Sequence, residues 1–527
     1  MSTTRPIAEV AAELGLTSDQ YDLHGPRRAK LHLDLLADRP PRRGKYVLVT
    51  ATTPTATGSG KTVSSIGLAM GLTRLGHRSA VALRESALGP TLGAKGGGAG
   101  GGAAQIVPLE ECLLDLGDTA AVGAATNLLA AVVDDALHRG GRPDAGSVTW
   151  RRVLDVNDRS LRQVIVGLGG RVNGPPRETG FDITAASEVM ALLALSRDRA
   201  DLRARLDALV PAWDSANKPV TAGQLRAAGA MAVLLRTALQ PNLLQTSEGT
   251  PALVHSGPFG NLSLGSSSVV ADLIALPRVD FLVTEAGFGA DLGAEKFFHL
   301  KCPVSGVYPD VAVLVTTVPS LREQGGTANL RHHIGILRAF DVPVVVAINS
   351  FPGDSPEEIA VLKDASLEAG AAAVTEHSAF AQGGEGCLEM AEAVVAFSTS
   401  PEPGGHAIYA SSDSAQQKVH LLATRLYGAA DVAWDPAALR ALDRFVEAGY
   451  GHLPVCIAKT HRSLSHDPEL RGVPTGFTLP VREIRLAAGA GYLSVLTGAV
   501  ATMPGLPAHP RLLDLDLDPD GNVVGLT

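Results

Sequence analysis

Short runs of valine, isoleucine and leucine, each bounded by turn residues and followed by a helical stretch, recur through this chain and limit its fold more tightly than any other feature. The clearest are YVLVT (46–50), SAVAL (79–83), FLVTEAG (281–287), VAVLVTTV (311–318) and VPVVVAINSF (342–351). A strand that is apolar at successive positions has both faces buried, and the helices between such strands are what cover them. The pattern predicts an α/β fold with a mostly parallel sheet, doubly wound at least in part. After the last run comes FPGDSPEEIAVL, with Ser355 as N-cap, Pro356 at the first helical position and Glu358 closing a capping box.

The 527 residues allow two to four domains at roughly 150 residues each. Composition shifts at TSPEPGGHA (399–407), and Pro/Gly punctuation returns at 502–510. We place boundaries near 306 and 426: a large domain of residues 1–305, an α/β domain of 306–425 and a small C-terminal domain of 426–527. The 45 Lys and Arg against 54 Asp and Glu leave a net charge of −9, which attracts neither nucleic acid nor an anionic membrane. Cys112, Cys302, Cys387 and Cys456 stand singly, without zinc or disulfide spacing, and read as buried thiols of a reducing compartment. Charges interrupt the N-terminus before a secretory leader could form, and no uncharged apolar run approaches about 18 residues, so the expectation is a cytoplasmic protein.

The sharpest motif is TTPTATGSGKTV (52–63), set between the run YVLVT and the helical stretch VSSIGLAMGLTRL. A phosphate-cradling loop needs this order: free backbone N–H groups at a helix N-terminus, Lys61 as a point charge and Thr62 as a hydroxyl ligand for Mg²⁺. Thr55 stands where the usual pattern has its first glycine; Gly58 and Gly60 remain. The alternative is a strand-to-helix turn that happens to contain GSGKT.

The second run leads into LRESALGPTLGAKGGGAGGGAAQ (83–105). Arg84 and Glu85 thus fall at a strand's carboxyl end, where open α/β sheets bind ligands, and an arginine there suits an acyl phosphate. The equal alternative is an arginine paired with a carboxylate beside a flexible glycine linker. Aromatic residues make up only 4% of the chain, so Phe288, Phe351 and Phe380, each in a loop beside Gly or Pro, suggest a ring-stacking site, with core packing the default for any one of them. The tail LDLDLDPDGNVVGLT opens like a calcium loop at Asp516, Asp518, Asp520 and Gly521, but Thr527 stands where a bidentate Glu is required, so a strand and turn is expected. Basic clusters such as LRHHIGILR (330–338) are too small for a nucleic-acid footprint and read as solvated helix faces.

Together, TPTATGSGKT, LRESALGP, KGGGAGGG, WRRVLDVNDRSLR, NGPPRETGFDITAASEVMA, QTSEGTPALVHSGPFGN, VTEAGFGADLGAEKFF, VAINSFPGD and VREIRLAAGAGY resemble the formate–tetrahydrofolate ligases, collinearly from about residue 20 to the C-terminus. The resemblance implies that ATP phosphorylates formate to formyl phosphate and that N10 of tetrahydrofolate then attacks the formyl carbon and expels phosphate. It implies that Lys61 and Thr62 hold ATP and Mg²⁺, that Arg84 clamps the formyl phosphate, and that residues 1–305 form the nucleotide and acyl-phosphate domain. Phe351 and Phe380 would sandwich the pterin, with Phe288, Glu85 and Asp118 also on the acceptor side and residues 306–425 as the acceptor domain. A homotetramer and activation by a monovalent cation are implied as well. The chain departs from the family pattern at Ala103 (usually Tyr), Ala120 and Leu264 (usually His), Phe380 (usually Trp), in KTHRS (459–463, usually like KTQYS), and in a shortened stretch after EQGG. Two further readings stay open here: a paralogue acting on another carboxylate or amine, and a non-catalytic nucleotide-binding homologue.

Overall fold

The computed structural model describes residues 4–37, 41–55, 58–93, 98–399, 404–498 and 500–526. Its main sheet has 12 strands. In chain order we use β1 (Tyr21–Leu23), β2 (Ala29–Leu31), β3 (Lys45–Ala51), β4 (Ser79–Leu83), β5 (Ala104–Val107), β6 (Asn242–Thr246), β7 (Pro251–Val254), β8 (Phe281–Glu285), β9 (Val311–Thr316), β10 (Val344–Asn349) and β11 (Ala373–His377). Across the sheet the order is β1-β2-β6-β7-β4-β8-β3-β9-β10-β11, with β5 also on β6 and the twelfth strand, the short Gly100–Gly101, on β5. From β7 to β11 all neighbours are parallel. The β1, β2, β5, β6 and β7 pairings at the other end are antiparallel.

The protein is therefore an α/β protein with a large mixed, mostly parallel sheet and several small sheets. All five apolar runs form strands, and every residue of β4, β8, β9 and β10 is buried, as both-face coverage requires. Along β3, Tyr46 and Leu48 enter one core while Val47 and Val49 enter the other, the period-2 alternation of a strand between two layers. Strands on both sides of residue 306 share this one sheet, since β9 pairs with β3.

The helices that matter below are α1 (Lys61–Arg74), α2 (Asp118–His138), α3 (Ala328–Arg338) and α4 (Pro356–Glu368). Ser64 to Leu72 of α1 are all buried. Gly67 and Gly71 make this possible: a Cβ at Gly67 would stand 2.6 Å from the Cys387 sulfur and 2.7 Å from the Ala379 Cβ. Ser355 caps α4 by accepting from the Glu358 N–H at 3.2 Å, and the Glu358 carboxylate reaches across to Arg322. Within Leu109–His138, α2 is long and apolar enough by composition to cross a membrane, but the window is half buried and packs on the helices Glu188–Leu195 and Ala228–Leu234, as a core helix does.

Described residues beyond 426 build three small sheets: Asp431–Trp434 with Thr478–Val481, Val455–Ala458 with Tyr492–Leu496 and Glu483–Ala487, and a two-stranded hairpin in the tail. The four cysteines are buried free thiols. Asp516–Leu517 pairs with Val523–Val524, and Asp518 accepts from the backbone of Asp520 and Asn522 (3.0 and 2.8 Å), so this part of the tail is a hairpin; Thr527 lies outside the described residues. One expectation is corrected. In the basic stretch 330–338, His333 is fully buried and is no part of a solvated face.

Candidate functional site

The chain leaves β3 for β4 on one side and later places β9 on the other, so the carboxyl end of β3 is where the winding reverses. Ligands of open α/β sheets bind at such points. The segment leaving β3 is fixed there by α3: the Thr53 N–H donates to the Asn329 Oδ1 at 3.3 Å, the Asn329 amide donates to Thr53 Oγ1 at 2.9 Å, and that oxygen also shares a hydrogen bond with His333 Nε2 at 3.0 Å. Burial pushes the His333 imidazole down to about 4, so it acts as a neutral partner at physiological pH.

Ala56 and Thr57 lie outside the described residues; around them the loop is closed by the Gly58 N–H donating to Thr55 O at 3.0 Å and by Thr55 Oγ1 donating to Gly58 O at 3.2 Å. Gly58 and Gly60 have φ of +83° and +75°. Gly60 is the N-cap of α1, and no side chain caps that end, so the first-turn N–H groups face the site. A Cβ at Gly60 would collide with the Asn349 amide at the end of β10. Gly60→Ala should therefore lower stability by about 1–2 kcal/mol, the penalty of a left-handed side-chain residue, and weaken nucleotide binding; thermal melts and an ATP titration check both effects.

Lys61 Nζ donates to Ser59 Oγ at 3.2 Å, and Thr62 Oγ1 donates to Glu285 Oε2 at 2.8 Å. The other oxygen of Glu285 stands 3.7 Å from Arg84 Nη2. Glu285 ends β8, between β3 and β4, and so links the glycine loop to the arginine. The sequence reading missed it, although an acid ending an otherwise apolar strand beside the loop strand was a usable signal. Arg84 also donates to Pro258 O at 3.5 Å, and its Nε is buried without a partner. The expected alternative of an arginine paired with a carboxylate is thus realised in part, by one long contact that leaves the Arg84 side chain 29% exposed.

Glu85 and Asp118 come together in a buried cluster behind Arg84. Lys30 Nζ from β2 lies 2.6 and 2.7 Å from the two Asp118 oxygens, and Asn242 of β6 donates to the same carboxylate at 2.8 Å. Asp118 is filled by these partners. Glu85 accepts from the Thr119 N–H at 3.3 Å with one oxygen while the other has no partner. Burial and the nearby Asp118 push the Glu85 carboxyl up to about 8, so it keeps its proton at neutral pH and can donate a hydrogen bond. Lys30 and Asn242, which make this cluster possible, carried no local sequence signal.

Phe351 and Phe380 follow the neighbouring strands β10 and β11, just past the paired residues Asn349 and His377. These residues are 44% and 60% exposed. Phe380 sits in a single helical turn, Ala379–Gln382, rather than a loop. Its carbonyl accepts from the Ala103 N–H at 2.8 Å, and its ring covers Gly101 and Gly102, where a Cβ would stand 3.3 and 3.0 Å from ring carbons. Gly96 and Gly97 of the glycine tract lie outside the described residues. Phe288 stands apart from this pair, after β8, three strands across from β10. It stacks on His461 with centroids 4.8 Å apart and planes 24° from parallel. Ala120 is exposed on α2, and Leu264 is fully buried. A cavity of about 730 Å³ is lined by Leu36, Ala37, Arg199 and Pro303 and by none of these groups.

Fold and site together define an α/β protein with a glycine turn at a helix N-terminus, an arginine and a bridging carboxylate gathered at the carboxyl ends of parallel strands. The model of one family, formate–tetrahydrofolate ligase, matches residues 1–527. The formate–tetrahydrofolate ligase of Roseiflexus sp. (strain RS-1) is 51% identical over 99% of this chain and 98% of its own. Those of Saccharopolyspora erythraea and Cutibacterium acnes are 49% and 48% identical, each over 99% of this chain and 97% of theirs. The chain belongs to the formate–tetrahydrofolate ligase family.

Proposed function

We propose that the chain joins formate to tetrahydrofolate at the expense of ATP and that the residues gathered around Glu285 do this chemistry. The observation that carries the reading is that carboxylate's double contact, 2.8 Å to Thr62 of the glycine loop and 3.7 Å to Arg84, which ties the nucleotide side to the acyl side. In the first step a formate oxygen attacks the γ-phosphorus of ATP, and ADP leaves. In the second, the N10 amine attacks the formyl carbon, the C–O bond to phosphate breaks, and the amine gives up its proton.

The first-turn N–H groups of α1 and the ammonium of Lys61 take the nucleotide phosphates, and Arg84 holds the formyl phosphate through a guanidinium fork suited to its paired oxygens. Thr62 and Glu285, one hydroxyl and one carboxylate, are the oxygen donors that would hold Mg²⁺ here, a hard cation that takes such ligands. That cation neutralises charge on the transferring phosphoryl group. Protonated Glu85 offers a hydrogen bond to the acyl side. Phe351 and Phe380, both exposed at adjacent strand ends, supply faces for the pterin, with Phe288 on the far wall.

We keep residues 426–527 as a separate small domain, and a cytoplasmic homotetramer activated by a monovalent cation as part of the same reading. Formate-dependent ADP release, measured with and without tetrahydrofolate, tests it: release that ignores formate would sink the activation step, and release that ignores tetrahydrofolate the acceptor. Phe380→Trp should lower KM for tetrahydrofolate by an amount equivalent to roughly 0.5–1.5 kcal/mol, since a larger ring stacks more strongly. A folate titration at saturating ATP and formate reads that change directly.

A further inference from the structure

His461 comes from the small C-terminal part of the chain, yet its imidazole lies flat on Phe288, with centroids 4.8 Å apart and planes at 24°. Phe288 needs such support. Its φ of +61° is in the left-handed region, which an aromatic residue occupies only when its surroundings hold it there. The edge of its ring rests against Gly260, where a Cβ would stand 3.1 Å from the ring carbon Cε2. His461 covers a face. The residue before Phe288 is Gly287, where a Cβ would lie 3.3 Å from the Arg84 guanidinium, so a shift of Phe288 moves the wall beside Arg84.

The segment bearing His461 is itself a built support. Lys459 Nζ, fully buried, lies 2.6 Å from Asp291 Oδ2 and donates to Ser463 O at 2.6 Å, while the Lys459 N–H donates to the Asn261 Oδ1 at 3.1 Å. Asp291 lies three residues beyond Phe288, and Asn261 one residue beyond Gly260. The C-terminal segment is thereby bolted to both loops that flank the ring, and the imidazole is delivered to one place. Phe288 and His461 are both partly exposed.

We infer that His461 is a positioning residue of the acceptor site: by stacking on Phe288 it sets the wall against which tetrahydrofolate binds next to Arg84. This rests on reading the site as that of the ligase, with Phe288 on the acceptor side. A residue that acts by stacking can be replaced by another ring but not by a polar chain of similar reach.

The test is steady-state kinetics of full-length wild type, His461→Ala, His461→Gln and His461→Phe, with each substrate varied in turn. The expected result is a roughly five- to tenfold rise in KM for tetrahydrofolate in the Ala and Gln variants, with kcat and the KM values for ATP and formate within about twofold, and recovery of most of the loss by Phe. An unchanged KM for tetrahydrofolate in Ala and Gln overturns the inference, as does Phe performing no better than Ala. An equal rise for all three substrates also overturns it, because it would mark a general structural role. Wild type that turns over formate and ATP without regard to tetrahydrofolate overturns the acceptor reading and this inference with it. Wild type that saturates with tetrahydrofolate, combined with unaffected variants, removes the inference alone.

Discussion

Lys61→Ala should lower ATP-dependent turnover by at least about 10³-fold while the protein stays folded, because the variant loses the cation that meets charge on the transferring phosphoryl group. The structure separates this from a folding effect. Lys61 is the first residue of α1, directly after left-handed Gly60, and its ammonium stands at the positive end of the helix dipole. A cation there is unfavourable by roughly 0.3–1 kcal/mol, so alanine should leave the melting temperature unchanged or raise it slightly. A structural lysine would show the opposite signature. Circular dichroism melts beside a coupled ADP-release assay give both readings, and near-wild-type kcat in a folded variant would end the phosphate-loop assignment.

How far the fold could be read from the chain depended on whether neighbours in space were neighbours in sequence. SAVAL is β4 to the residue, and FLVTE, VAVLVT and VVVAIN are β8, β9 and β10, because a parallel strand buried on both faces has no alternative but a continuous apolar run. The antiparallel end was not legible. Asn242 and Gln245 in β6 are buried polar residues that interrupt any such run, and their reasons for being buried lie at Asp118 and at the backbone of Arg5. The same holds at the site. Gly58, Gly60, Lys61 and Thr62 announce themselves within five positions, whereas Glu285 acts on Thr62 across 223 residues and Lys30 on Asp118 across 88. His333 was read as solvated because its neighbours Arg331 and His332 are charged or polar; its core-facing position on α3, with Asn329 and Leu330, decides otherwise. His461 was noticed as a departure in KTHRS, but what it touches depends on a fold that brings the C-terminal part to the carboxyl end of β8.

Arg84→Lys is the substitution that distinguishes a clamp from an ion pair. If Arg84 serves only to balance Glu285, a lysine would do as well, since the present contact is a single one of 3.7 Å and an ammonium on a flexible stem could reach the same carboxylate. If it holds an acyl phosphate, the planar fork is essential, because one compact ammonium cannot bind two oxygens in fixed directions while the N10 amine approaches. The arrangement favours the second case. The side chain is 29% exposed, its Nε is buried without a partner, and Pro258 O at 3.5 Å satisfies only one corner of the fork. The expected result is a fall in kcat of at least about 10²-fold, with KM for ATP little changed because the phosphate loop is intact. Glu285→Gln supplies the control. It removes the charge facing Arg84 while keeping a side chain that can bond Thr62, so a charge-balance role predicts a loss in Glu285→Gln and near-wild-type behaviour in Arg84→Lys, which keeps the positive charge. A clamp predicts a severe loss in Arg84→Lys itself, whatever Glu285→Gln loses through a weakened Mg²⁺ site, and a defect that appears in formyl transfer when formate-dependent phosphate exchange is followed separately from tetrahydrofolate-dependent turnover. A loss of less than tenfold in Arg84→Lys would return Arg84 to the role of a structural ion-pair residue.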